Sequence, residues 1–361
     1  MPLGAELSQL FSKVATPYIN SASSIRETDL FDHLISSLIS LPDYIVGRIH
    51  GNKSMVTFPD DCGWFTKQPR CELGDVCIIA YSKRRRKARL IIMQNKVART
   101  PRGVLAIDGS QINASLVQYN LLSFRPCFEY VKEFKKTKRF NNGLIRSSPY
   151  PSVCVYGNFC INSKNEADMY CVTANAFNYS PSRIPLRSKY PSAKIRYTGL
   201  YEDLSTRNGS GDFVAANNLL DFGDLLEDLY IGKPIDASEQ ADILKLIKTA
   251  FHTNPDKASD DFLSVLRDFE TTDLIQSEIF SERSDASFRE DYDRPISNYS
   301  GPHLFCRDLV LLNVDYLESS ASLGQPQYLY EKEQLRMSGR TINGLSQEAF
   351  YQGYESERLT E

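Results

Sequence analysis

The stretch GDVCIIAYSKRRRKARLIIMQNKV, residues 74–97, decides the fold that we predict for this chain. Two apolar segments flank five consecutive cations centred on Arg85, which is the pattern of two strands joined by a solvated basic turn. Because charged side chains are seldom buried without a partner, the apolar segments belong to the interior and the turn to the surface. The stretch therefore predicts a buried β-hairpin.

Polar residues stand at the open end of this hairpin. Asp75 begins the first strand, and Gln94, Asn95 and Lys96 close the second. With the turn centred near Arg85, position 75 is expected opposite position 95. Side chains two residues apart on a strand project to the same side, so Gln94 and Lys96 share a face. A carboxylate, an amide oxygen and an ammonium group gathered at one point favour a site for a metal ion and a phosphodiester.

These residues resemble the PD-(D/E)XK nuclease superfamily, in the variant that has Gln in place of the second acid, as in Mrr-type restriction endonucleases. The likeness covers about residues 20–135 and includes Glu27, in a predicted upstream helix. It implies a restriction-endonuclease-like fold, an α/β (α+β) mixed sheet flanked by helices. The pair Pro59-Asp60 is interpreted as unrelated to the motif, because it lies too far upstream and outside an apolar strand.

The resemblance implies a role for each site residue. Asp75 would be the central ligand of Mg²⁺, which Mn²⁺ could replace, and Gln94 and the Asn95 carbonyl would add oxygen ligands. Lys96 would orient the attacking water or stabilise charge on the phosphate. Glu27 would hold a metal-bound water or position Lys96.

Structural explanations compete with these roles. The hairpin could be an ordinary buried strand pair, in which Asp75 only compensates the charge of Lys96. Glu27 could serve the helix dipole, as an acid in a first turn often does. Asp29 and Asp32 compete for its function. Further candidates are Glu72, three residues before Asp75, and Gln118, in a predicted helix after Lys96.

Charge is distributed unevenly along the 361 residues. The net charge of −3 combines −13 in residues 201–300 with +10 elsewhere. A basic N-terminal half suits a polyanionic partner such as DNA. Two groups of cations are candidates for phosphate contacts. They are Lys83, Arg84 and Arg85 in the turn, and Lys132, Lys135, Lys136, Lys138 and Arg139.

Eight cysteines include no CxxC pair, and with four histidines they give no zinc-finger spacing. No charged-then-apolar leader and no apolar run of about 20 residues is present. We therefore expect a cytoplasmic protein with reduced thiols and no membrane contact.

Hydrophobic spacing predicts further elements and their grouping. Helices are expected at 23–41 (capped by Ser23 or Ser24), 109–124, 214–231, 237–252 and 258–270. Strands are expected within 44–58, 127–131, 152–159 and 169–177, and residues 306–317 are apolar enough to be buried. The predicted organisation is a nuclease-like core at 1–135, a basic linker with added strands at 136–200, an appended, acidic and largely helical region at 201–330, and a polar tail at 331–361.

The leading functional hypothesis is a magnesium-dependent DNA endonuclease, by resemblance one of bacterial restriction or anti-phage defence, and a homo-oligomer. One alternative is a non-catalytic nucleic-acid-binding or assembly protein with a nuclease-like fold, because Gln adds no negative charge to a metal site. Another is an adaptor whose acidic segment docks a helicase, an ATPase or another basic partner. The sequence does not decide whether the substrate is DNA or RNA, which nucleotide sequence is preferred, or how the protein is regulated.

Overall fold

The computed structural model describes residues 2–41, 44–50, 55–60, 63–98, 111–126, 128–130, 150–162, 164–179, 192–197, 215–216, 218–235, 239–240, 243–244, 247, 260–272 and 306–315. They all belong to one compact unit, which extends to Asp315. The predicted tail at 331–361, the glycine-rich run 207–213 and most of the helix predicted at 237–252 lie outside these residues.

The helices are α1 Leu3–Ser21, α2 Glu27–Ile39, α3 Leu116–Phe124, α4 Leu219–Glu227 and α5 Asp260–Glu270. The strands are β1 Ile45–His50, β2 Met55–Thr57, β3 Arg70–Glu72, β4 Gly74–Ser82, β5 Lys87–Ala98, β6 Gln111–Ser115, β7 Glu129–Tyr130, β8 Cys154–Ile161, β9 Ala167–Thr173, β10 Phe177–Asn178, β11 Ser192–Tyr197, β12 Ala215–Ala216, β13 Lys233–Pro234 and β14 Cys306–Asn313. The chain is thus a mixed α/β protein, as predicted.

A mixed sheet in the order β1-β14-β4-β5-β8-β9-β12 forms the centre, and β13 also pairs with β5. Within it, β14 runs parallel to β4 and β5 runs parallel to β8, while the other pairs are antiparallel. Cys77, Ile79 and Tyr81, which alternate on one face of β4, share an apolar cluster with residues of α3 and α5. The opposite face carries α1, as the stacking of Phe11 on Phe159 shows. Helices therefore flank both faces of the sheet.

The hairpin of β4 and β5 is present, with a register one residue from the prediction. Ser82 pairs with Lys87 and Val76 with Met93, so the ladder continues to Asp75 opposite Gln94, not opposite Asn95. The turn has four residues, not five, and it closes through a bond from the Arg86 amide to the Lys83 carbonyl with Arg86 at φ 49°. Opposite residues of an antiparallel pair share a face, so this register brings the Asp75 and Gln94 side chains together.

The position of residues 306–313 differs from the predicted domain organisation. This segment is buried, as expected, but it is β14, which lies between β1 and β4 instead of in an appended region. Strands β8 and β9, from the predicted linker segment, join the same sheet. The boundaries at 135 and 200 therefore separate no units, because strand pairing connects all three segments.

Local patterns were misinterpreted in four places. Residues 215–216, predicted as part of the helix at 214–231, form β12, and α4 covers only Leu219–Glu227. Residues 111–115, predicted as part of a helix, form β6, because Ile112 and Ala114 alternate inward against β11. Helix α1 was missed, although Leu3, Leu7, Phe11, Ala15 and Ile19 follow a four-residue spacing and are buried. Helix α2 begins later than predicted, with Arg26 as N-cap and no side-chain capping bond, so neither Ser23 nor Ser24 caps it.

No helix among the residues seen here combines the length and apolar character needed to cross a membrane. The six described cysteines are free thiols, and all of them are buried.

Candidate active site

Asp75 and Gln94 meet at the end of the hairpin that lies opposite the basic turn. The Gln94 amide nitrogen Nε2 donates to Asp75 Oδ2 at 2.7 Å, and the Asn95 backbone N–H donates to the same oxygen at 2.7 Å. Neither bond uses Asp75 Oδ1. Gln94 is buried and Asp75 is half-buried, so the carboxylate is held in a largely dry position at the edge of the core.

Lys96 continues the same face of β5 and meets the helix that carries Glu27. Its Nζ lies 2.9 Å from Glu27 Oε1, and its side chain is only 16% exposed. The two competing acids have other partners: Asp29 pairs with Arg26 at 2.8 Å, and Asp32 pairs with Arg307 at 2.8 Å. The structure thus brings Glu27 to Lys96, a geometry that fits a positioning role.

Gln118, at the start of α3, forms the outer wall of the site. Its Nε2 donates to Gln94 Oε1 and, at 3.3 Å, to the backbone carbonyl of Glu72. In this arrangement the Gln94 nitrogen faces Asp75 and its oxygen faces Gln118. A half-turn of the Gln94 amide would exchange the two atoms and put an oxygen beside the Asp75 carboxylate, as cation binding requires.

Three charged groups of the site influence one another. Burial raises the pKa of the Asp75 carboxyl above its usual value, against the opposing effects of the Asn95 N–H, the Lys96 charge and the Gln94 amide. Burial also raises the pKa of Glu27, while Lys96 opposes the rise and the Asp75 charge adds to it. Raised carboxyl pKa values beside a lysine are typical of a functional site, although structural ion pairs also produce them.

Three site residues escaped the sequence analysis because they lie on strands distant in sequence. Arg307 stands in β14 beside Asp75 in the parallel ladder, and its charge lowers the pKa of that carboxyl. Tyr156 is opposite Gln94, and its buried hydroxyl has no hydrogen-bond partner among the residues that the structure describes. Asn158 is opposite Lys96, and its amide nitrogen donates to the Tyr170 hydroxyl. No local signal marks these residues, since only the pairing of β14 and β8 brings them to the site.

The donor set fits a hard cation that keeps much of its water. Within the described ranges no group of three or more His, Cys, Asp or Glu side chains could hold a metal. Asp75 Oδ1, a rotated Gln94 amide and the Asn95 carbonyl, which accepts from Gln94 Nε2 at 3.3 Å, offer oxygen atoms only. Magnesium prefers oxygen ligands and retains several waters, so these residues fit Mg²⁺ better than a softer metal.

The basic turn is remote from this site. Seven residues of β4 separate Ser82 from Asp75, a distance on the order of 20 Å. The Lys83 ammonium pairs with Asp268, the Lys83 and Arg84 amides donate to Asp315, and the Arg85 guanidinium donates to the Glu227 carbonyl. The structure thus brings the turn to acidic residues of this chain and away from Asp75, and phosphate binding by Lys83, Arg84 and Arg85 stays a prediction.

The remaining candidates are placed as follows. The second cationic group, Lys132, Lys135, Lys136, Lys138 and Arg139, lies outside the described residues. Asp60 accepts from the Phe65 amide at 2.6 Å, a loop contact consistent with its being unrelated to the site. Glu72 contributes its backbone carbonyl to Gln118.

Comparison with models of protein families, with curated proteins and with solved structures gives no match. The chemistry of the site must therefore be argued from its own residues.

Proposed function

We propose that this protein is a magnesium-dependent phosphodiesterase that cleaves DNA. The observation that carries the proposal is the convergence of Asp75, Gln94, Asn95 and the Lys96–Glu27 pair at one end of a buried hairpin. A half-buried carboxylate beside two amide oxygens and an ammonium group offers separate positions for a cation and for a phosphate. The resemblance to the PD-(D/E)XK superfamily supports the same assignment.

Each residue has a distinct task in this reaction. A bound magnesium ion would supply Lewis-acid neutralisation of the scissile phosphate. Asp75 and Gln94 would hold it after a half-turn of the Gln94 amide, and a matching half-turn of the Gln118 amide would let its oxygen accept from the Gln94 nitrogen. Lys96 Nζ would donate to the attacking water or to a phosphoryl oxygen as negative charge develops there. Glu27, at 2.9 Å, keeps the ammonium group directed into the site.

The setting is also a proposal. A nuclease of this kind in bacterial restriction or anti-phage defence would act in the cytoplasm, as a homo-oligomer or with a helicase or ATPase subunit. The adaptor hypothesis has less support at Asp268 of the acidic segment, because its carboxylate already pairs with Lys83 in the basic turn of the same chain.

A non-catalytic nucleic-acid-binding protein is the second candidate. One observation favours it: the Gln94 amide donates directly to Asp75 and Lys96 pairs with Glu27, so these groups find partners within the protein without a cation. Such a protein would bind DNA without cutting it.

Metal-dependent nicking of supercoiled plasmid separates the two candidates. We expect the wild type to nick with Mg²⁺ or Mn²⁺ and not with EDTA, and we expect Asp75→Asn and Lys96→Ala each to lower the rate by about 10²-fold or more, because each removes charge stabilisation of the transition state.

The matched control is Lys87→Ala, an exposed lysine at the other end of β5, which should nick like the wild type. Full activity in the Asp75 and Lys96 variants would refute the site. Binding without nicking under any metal condition would favour the second candidate.

A further inference from the structure

An aromatic cluster stands beside the candidate site. Trp64 lies at its centre and contacts four rings, with centroid separations of 5.8–6.5 Å. The indole stacks nearly parallel on Tyr119, at 4°, and meets Phe65, Phe124 and Tyr179 edge-on. We refer to Trp64, Phe65, Phe124 and Tyr179 as the aromatic platform.

The platform is open to solvent. Phe124 is 56% exposed, the largest exposed fraction of any large apolar side chain in the described part of the chain. Trp64, Phe65 and Tyr179 are half-buried. Tyr119 beneath it is buried and donates its hydroxyl to the Phe177 carbonyl at 2.6 Å. The rings are thus held by one another and by the core, so little side-chain freedom remains to be lost when a ligand binds.

Exposed cations lie close to the platform in the chain or in strand pairing. Lys67 follows it closely in the chain, and Lys194 and Arg196 project from the exposed side of β11. Arg196 pairs with Asn178, the residue before Tyr179. On the same exposed side, Asn113 pairs with Lys194 and Gln111 with Arg196, which adds two amide groups. The Asp60 carboxylate also approaches, but it is engaged by the Phe65 amide.

Helix α3 connects the platform to the candidate site. It presents Gln118 to Gln94 at its start and Phe124 to Trp64 at its end. Six residues of helix span about 9 Å. A strand with one phosphate at Asp75 would therefore reach the platform with a base a few nucleotides away.

We propose that the platform binds unpaired bases of single-stranded DNA, whose backbone follows Lys67, Lys194 and Arg196. The inference rests on the proposed function for its choice of DNA, and it names the substrate class: an unpaired strand, or an unpaired segment of a duplex. Aromatic side chains among cations match a polymer of flat rings on a polyanionic backbone. An intact duplex does not fit, because its base faces are already stacked on one another.

Trp64 is the only tryptophan of the chain, so its fluorescence reports on the platform alone. A twelve-residue oligothymidylate, titrated in EDTA to prevent cleavage, should quench the emission. The same sequence annealed to its complement should quench little. Affinity should fall with rising salt, with a logarithmic slope of about −0.7 for each phosphate contact.

Two variants test the residues. Phe124→Ala should weaken binding by roughly tenfold or more, as loss of one stacked base does. Phe124 is exposed, so its removal takes no side chain from the core. The double variant Lys194→Ala with Arg196→Ala should lower the salt slope by about 1.4. The controls are Tyr230→Ala and Lys87→Ala, and both should bind normally. Tyr230 is an aromatic residue that follows α4 in the chain and is 40% exposed.

The proposal is supported if the single strand quenches the wild-type emission and this quenching is lost in Phe124→Ala. Absence of quenching, equal quenching by duplex, or quenching unaffected by Phe124→Ala overturns it and leaves the platform as a protein-docking surface. Asp75→Asn separates this result from the proposed activity, because it should bind the single strand normally while failing to nick plasmid.

Discussion

Gln94 is the residue on which the chemistry of the site depends. Its amide joins Asp75 on one side to Gln118 on the other, so a neutral side chain occupies a position where a second carboxylate would face the first. Two carboxylates this close cannot both be ionised without a cation between them. Gln therefore keeps the metal-free fold intact, and it lowers the negative charge that a metal would meet.

A Gln94→Glu variant tests this balance. Without divalent cation we expect it to be less stable than the wild type by about 1–3 kcal/mol, because the buried carboxylate repels Asp75. With Mg²⁺ it should be stabilised more than the wild type, by about 1.4 kcal/mol for each tenfold gain in affinity. Thermal unfolding with and without Mg²⁺ measures both effects.

The control for that experiment is Gln9→Glu, on the exposed side of α1, which should show no magnesium dependence. An equal magnesium response in Gln94→Glu and the wild type would contradict cation binding at this position.

The raised pKa of Asp75 predicts how stability changes with pH. The folded protein binds the proton of the Asp75 carboxyl at a higher pH than the unfolded chain does. Burial of the ionised carboxylate therefore lowers the free energy of unfolding at neutral pH. As the pH falls through the folded pKa towards the ordinary value of 3.8, this penalty disappears. The wild type should therefore gain stability relative to Asp75→Asn between pH 7 and pH 4.

Urea unfolding at several pH values measures this difference. Asn113→Ala, which removes an exposed amide and no titratable group, should differ from the wild type by a constant amount. A loss of wild-type stability relative to Asp75→Asn on acidification would contradict the raised pKa.

At the scale of elements, helices α1 and α4 approach so closely that only glycine fits at their crossing. A Cβ at Gly4 would overlap the Leu220 carbonyl, and a Cβ at Gly223 would overlap the Gly4 backbone. At the end of α4, the Glu227 carboxylate accepts a hydrogen bond from the Leu3 amide at 2.9 Å. This bond satisfies one of the free N–H groups at the start of α1. This contact fixes the helix pair that covers β9.

Replacing Gly4 by alanine should therefore destabilise the protein. Alanine normally favours a helix by about 1 kcal/mol over glycine, but the overlap with backbone should cost about 1–3 kcal/mol and separate the helices. Chemical denaturation of Gly4→Ala and Gly223→Ala measures the change, and Gln9→Ala on the exposed side of α1 is the control. A Gly4→Ala protein more stable than the wild type would show that the helices do not pack this closely.

At the scale of the whole molecule, the central sheet includes a strand from near the end of the described chain. Strand β14 occupies the position between β1 and β4, and Leu309, Val310, Leu311 and Leu312 in it are completely buried. Burying four such side chains contributes about 6–12 kcal/mol, comparable to the entire stability of a typical domain. The N-terminal strands therefore depend on residues 306–313.

Truncation tests this dependence. A chain that ends at residue 300 should lose cooperative unfolding and expose the edges of β1 and β4, whereas a chain that ends at residue 320 should unfold cooperatively. Circular dichroism during thermal unfolding distinguishes the two. A cooperative transition in the shorter chain would show that residues up to 300 fold independently.

The sequence by itself determined the hairpin and the polar residues at its open end, because apolar alternation and a charged turn are local properties of residues 74–97. It also predicted α2, β8, β9 and the burial of 306–317 for the same reason. Of the candidate site, the proximity of Asp75 to Gln94 could be predicted in this way, whereas a role for Glu27 beside Lys96 was implied only by the resemblance to the nuclease superfamily.

Only the tertiary structure decided what depends on pairing between distant segments. It set the hairpin register, inserted β14 beside Asp75 and so brought Arg307 to the site, and made residues 111–115 a strand through contact with β11. It also directed the basic turn to Asp268 and Asp315. A local pattern specifies which face of an element is apolar, but the partner of that face is selected by burial and backbone hydrogen bonding across the whole chain.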